Sequence, residues 1–174
     1  RQRTNSVRIL HTVAVGVRMS HWRADLSWNV AGLIVETDGE DAAAAAVRGL
    51  GPVVVGRHLS PTGRPIVECW STSPSFAFHD ERWAALSRGT RALTFYASAD
   101  TGSFGFRYFE DGALIRRLDA LGTVERGVGS PLPQEEGLGT SRNENTVFAL
   151  ISALGFQHQR PRRRRDLRFL RQVA

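Results

Sequence analysis

The chain has 174 residues, 41% hydrophobic and 23% charged, the composition of an ordinary globular protein rather than a disordered or membrane-spanning one. A domain of this length buries roughly 70% of its unfolded surface and needs no metal or disulfide, and the lone Cys69 can build neither a bridge nor a Cys-rich zinc site. All 23 basic residues are arginine, and the missing lysine excludes a Walker A loop, a pyridoxal Schiff base and a protein-kinase phosphate lysine.

The net charge of +6 is unevenly placed: residues 1–23 carry +5, residues 160–174 carry +6, and the stretch between them is at −5. We expect a basic N-terminal extension over 1–23, a single α+β domain over 24–156 and an Arg-rich tail over 157–174. Met19 is the only methionine, so residues 1–18 are a candidate extension. The apolar stretch 9–17 is short and broken by His11, Thr12 and Gly16, unlike a signal peptide, and no run is long enough to cross a bilayer. With a single cysteine, the expected location is the cytoplasm, with no membrane partner.

Along the chain, the Val- and Ile-rich run 28–36 predicts a buried strand. Asp38 to Asp41 supply a turn and an acidic first helical turn, and Ala43, Val47 and Leu50 continue it at helical spacing until Gly49 and Gly51. A short strand over 52–56 and a loop over 60–65 follow. Residues 66–72 alternate, with Ile66, Glu68 and Trp70 on one side and Val67, Cys69 and Ser71 on the other. Asp80 is placed to cap a short helix carrying Trp83 and Leu86, with Gly89 closing it.

Residues 91–119 predict an antiparallel meander. Leu93 and Phe95 alternate with Thr94 and Tyr96, Phe104, Phe106 and Tyr108 with Gly105 and Arg107, and Leu114 and Leu118 flank Arg116. Asp111-Gly112 is a strong hairpin signal between the last two runs. The glycine-rich stretch 122–140, with two prolines, predicts a long loop. A helix over 142–154 has Ser141 and Glu144 spaced as a capping box and Val147, Leu150, Ile151 and Leu154 as one apolar stripe; Gly155 ends it. The fold class is therefore α+β: a mainly antiparallel sheet with two or three helices, the terminal amphipathic helix packed on the sheet.

Little of this carries chemistry. The G-x-G pairs at Gly127/Gly129 and Gly137/Gly139 lack the strand before and helix after that a phosphate cradle requires. His79-Asp80-Glu81 contains H-x-E, but the P-C-x-x-C half of a zinc deaminase site is impossible with one cysteine, and acids at a helix start complement its dipole. Cys69 beside Val67 has the setting of a small core residue. Glu110, Asp111, Asp119, Glu135 and Glu136 are expected on a solvated surface. Glu68 and Trp70, sharing a strand face, mark a candidate cleft with an aromatic wall. Arg160, Arg162, Arg163, Arg164 and Arg165 are the candidate polyanion contacts. No cofactor or metal is expected.

Residues 106–118 (FRYFEDGALIRRL) resemble a stretch of uncharacterised actinobacterial proteins with domains of unknown function. The matching residues are Asp111, Gly112, Leu114, Ile115, Arg116 and Arg117, then Gly129, Pro131, Leu132, Pro133 and Glu135, then 147–155. The resemblance spans about residues 91–156 and implies a shared fold and a bacterial source, with no catalytic residues. Taken together, the expected function is a non-catalytic binding or regulatory module engaging a protein partner. The alternatives are polyanion or nucleic-acid binding through the termini, and a hydrolase with acidic groups.

Overall fold

The computed structural model describes residues 29–98, 100–138, 144–156 and 171–173. Its strands are β1 (Asn29–Glu36), β2 (Val53–Leu59), β3 (Pro65–Ser71), β4 (Arg91–Ser98), β5 (Ser103–Glu110), β6 (Ala113–Leu121), β7 (Val124–Val128) and β8 (Arg171–Val173). The helices are α1 (Glu40–Val47), α2 (Asp80–Leu86) and α3 (Glu144–Ala153), with 3-10 turns at Pro74–Phe78 and Pro133–Leu138. All eight strands form one sheet in the order β7-β6-β5-β4-β1-β3-β2-β8, antiparallel at every pairing. The α+β expectation holds.

The sheet has two halves of different construction. From β4 to β7 each strand pairs with the next, the meander expected from the alternation. In the other half β3 lies between β1 and β2, and β1 between β3 and β4, so β1 runs parallel to β2 and β3 to β4. Parallel strands cannot be joined by a tight hairpin, so each pair needs a crossover, which α1 and α2 provide.

The alternation within strands separates two cores. On one face Val30, Ile34, Ile66, Trp70, Phe95, Phe106 and Leu118 pack with Val147, Leu150, Ile151 and Leu154 of the terminal helix. On the other, Leu33, Val55, Val67, Cys69 and Phe109 pack with Val47 of α1 and Phe76 and Trp83 around α2. Each fully buried Leu, Ile, Val or Phe contributes roughly 1.5–3 kcal/mol, so both faces need their helical cover. The stripe of α3 ends as the sequence indicates. Gly155, at φ +77°, donates to the Ser152 carbonyl at 3.0 Å and Phe156 to that of Ile151 at 3.1 Å, which closes the helix and turns Phe156 into the core. Ser141, the expected cap, lies outside the described residues.

Several expectations need correction. The stretch 122–140 is not all loop, because Val124–Val128 pairs with β6 as β7 and Pro133–Leu138 forms a 3-10 turn. Strand β2 runs to Leu59, since β3 supplies a partner along its whole length. Asp80 does not cap α2: His79 holds that position, and the Asp80 carboxylate turns to Arg107. Within the expected tail, Arg171–Val173 pairs with Val53–Val55 as an edge strand. The Asp111-Gly112 turn is as expected, both residues having positive φ (48° and 81°), the geometry of a two-residue hairpin. Beyond it, Tyr108 pairs with Arg116 but Phe109 with Leu114, leaving Ile115 as a bulge.

Candidate functional site

Glu68 and Trp70 do share a face, and the Trp70 indole N–H donates to Glu68 Oε2 at 3.1 Å. His58 Nε2 lies 3.7 Å from the other carboxylate oxygen, and Phe95 stands edge-on to the Trp70 ring at 5.3 Å. The two residues are only 2% and 5% exposed, which sets them in the packed layer and not on the wall of an open hollow. A shallow hollow of about 480 Å³ lies elsewhere, between α1 and α2, lined by Ala45, Ala46, Arg48, Arg82, Ala85 and Leu86. There Arg82 donates to the carbonyls of Ala46 and Arg48, both at 3.2 Å, and so closes the C-terminal end of α1. Arg160 and Arg162 to Arg165 lie outside the described residues.

The strand register gathers a polar cluster that the sequence scatters over forty residues. On the α2 side of the sheet, Tyr96 stands opposite Gly105, Gly105 opposite Asp119, and Arg107 opposite Arg117. Gly105 is required here: a Cβ would lie 2.5 Å from the Tyr96 ring and 2.6 Å from the Leu118 carbonyl oxygen. The Tyr96 hydroxyl therefore reaches across it and donates to Asp119 Oδ1 at 3.2 Å. Arg107, buried, pairs with Asp80 (3.0 Å) and Asp119 (3.2 Å), while Arg117 reaches the other Asp119 oxygen at 3.3 Å. The Phe78 ring covers the Arg107 guanidinium at 4.5 Å and lies 5.2 Å from Tyr96. Burial, the Asp119 charge and the hydrogen bond to it push the Tyr96 phenol up to about 12, so the residue is a neutral donor.

Beyond this cluster the sheet continues with no cover from another described element. Leu121 (58% exposed) pairs with Val124 (53%) on the same face, and Val128 (48%) stands opposite Arg117. Phe78, 48% exposed, forms the inner rim. Arg126 stands opposite Asp119 but makes no ion pair among the described residues, because Asp119 is drawn inward by Arg107 and Arg117. Every residue of β7 is exposed, and β7 ends the sheet.

The expected surface acids divide. Glu135 is buried against Arg116 on the α3 face, contrary to expectation, because Arg116 shares that face with Leu118, two residues on, and its guanidinium draws the carboxylate in. Glu36 is held by Arg64 and Arg91, and Asp119 by two arginines, so these carboxylates serve as counter-ions. No group of three or more His, Cys, Asp or Glu able to hold a metal occurs among the described residues. Arg107 and Arg116 were visible in the sequence only as breaks in an apolar alternation. That signal marks a buried charge when a carboxylate elsewhere can reach it. No protein-family model, curated protein or solved structure matches the chain.

Proposed function

We propose that the chain is a non-catalytic binding module that engages a protein partner through the outer face of β6 and β7. The observation that carries this reading is the uncovered apolar group Leu121, Val124 and Val128, with Phe78 at its inner rim. Exposed apolar groups gathered on one face, rimmed by charge, are characteristic of protein–protein contact. The half-buried carboxylates beside it, Asp80 and Asp119, are occupied by arginines, which favours a docking surface over acid–base chemistry. No helix among the described residues is long and apolar enough to cross a membrane, and a cytoplasmic partner is part of the proposal. The test is a photo-crosslinking residue placed at Val124 in the producing cell, with the same residue at Arg48 as control. A discrete protein adduct at Val124, lost when Leu121 becomes Asp, supports the reading. No adduct above the control overturns it.

A second reading is supported by the division of charge: polyanion contact through Arg160 and Arg162 to Arg165, with the intervening chain at −5. It requires nucleic-acid binding that weakens steeply with salt and is diminished by removal of residues 160–174. No binding at low salt retires it.

A further inference from the structure

The sheet ends in β8, a three-residue strand, on one side and in the five-residue β7 on the other, and the outer side of β7 meets no further strand among the described residues. β7 pairs with β6 without a bulge from Val124 to Val128 and contains no proline, so its outward N–H and C=O groups keep a regular spacing. Such an edge is a template for another strand unless something blocks it.

What blocks it is specific. If a second copy paired antiparallel over the whole strand, Val124 would meet Val128 of the other chain and Arg126 would meet Arg126. Like charges directly opposite are destabilising. Shifting by two residues either way leaves only three of the five residues paired, and one of the two shifts also sets Glu125 against Glu125. Self-pairing is thus disfavoured by the charge at the centre of the strand. The same charge favours a different occupant, since Arg126 lies between Val124 and Val128 on the strand and pairs with no carboxylate among the described residues.

We propose that the outer edge of β7, which no described strand occupies, takes up an extended segment of a partner protein as a ninth strand. The segment carries an acidic residue opposite Arg126 and an apolar residue two positions away on each side, against Val124 and Val128. Main-chain hydrogen bonds hold the added strand, and the apolar–acidic–apolar alternation selects it. The inference rests on the protein-binding reading and gives that surface its partner class.

The test uses the full chain and two fluorescent, end-capped peptides, Thr-Val-Thr-Glu-Thr-Val-Thr and its Glu-to-Lys counterpart. The Glu peptide binds about tenfold more tightly than the Lys peptide by anisotropy, and Arg126→Glu inverts the preference. Arg126 is exposed, so Arg126→Glu stays folded with at most a small fall in melting temperature from the new carboxylate opposite Asp119, and Arg126→Gln, which adds no charge there, loses the preference at the parent melting temperature. Amide exchange at Val124 to Val128 slows when the Glu peptide is added. Equal affinity for both peptides, a preference unmoved by Arg126→Glu, or a chain that dimerises through β7 in sedimentation overturns the proposal. A crosslinked partner at Val124 together with any of these results would retain the binding module and remove only the strand-addition mode.

Discussion

Arg116 and Glu135, nineteen residues apart and both buried, meet in a two-pronged ion pair with N–O distances of 2.8 and 3.0 Å. The third guanidinium nitrogen donates to the Gly129 carbonyl at 2.9 Å, and Glu135 Oε1 also accepts from the Leu132 amide at 2.9 Å. One side chain from β6 thus fastens the segment that returns from β7 toward α3. Glu135→Ala leaves the guanidinium buried and unpaired, and should cost about 3–5 kcal/mol in urea unfolding. The double variant Arg116→Met/Glu135→Leu should lose much less, since it removes both charges together. Equal losses would mean that the pair acts through packing alone.

Ile151 is fully buried under the sheet. Ile151→Asp should leave the chain unfolded at ambient temperature, because an unpaired carboxylate enters an apolar layer. A monomer with the parent melting temperature would show that α3 does not pack as described.

Burial tends to raise the Glu36 carboxyl, but hydrogen bonds and charge from Arg91 and Arg64 outweigh it and hold the pKa below the usual 4.5. A carboxyl depressed in the folded state stabilises the protein above its unfolded pKa, and that contribution fades as pH falls through the folded value. Melting temperatures recorded from pH 7 to pH 3 should drop below about pH 4.5. The Glu36→Gln variant should start lower and show a shallower acid-side fall.

Tyr96 should ionise at about 12. Because burial, the Asp119 charge and the hydrogen bond raise it, Asp119→Asn should move it back toward 10, read by phenolate absorbance in a Tyr108→Phe background. A phenol already titrating near 10 in the parent would contradict the link across Gly105.

Cys69 is completely buried, and burial, reinforced by the nearby Glu68 and Glu40 charges, pushes its thiol far up. A disulfide reagent at pH 8 should therefore modify the native chain at least about a hundredfold more slowly than the urea-unfolded one. Comparable rates would place the thiol at the surface.

Local features of this protein were legible in its sequence because they depend on near neighbours. The alternation of Ile66, Glu68 and Trp70 with Val67 and Cys69 sorted the two faces of β3, Asp111-Gly112 marked a hairpin, and Val147 to Leu154 marked the buried side of α3. Other features exist only once distant segments meet. No periodicity shows that β3 lies between β1 and β2, since each of these strands is apolar enough to pair with several others. β7 lacks a full apolar alternation and is a strand only because β6 offers it hydrogen bonds. The surface formed by Phe78, Leu121, Val124 and Val128 draws on three elements, and its charge balance depends on Asp119 turning toward Arg107 rather than Arg126. Alternation along a strand is enough to sort neighbouring side chains between two faces, except at a bulge such as Ile115; which faces are then covered depends on what packs from elsewhere in the chain, and no local pattern carries that.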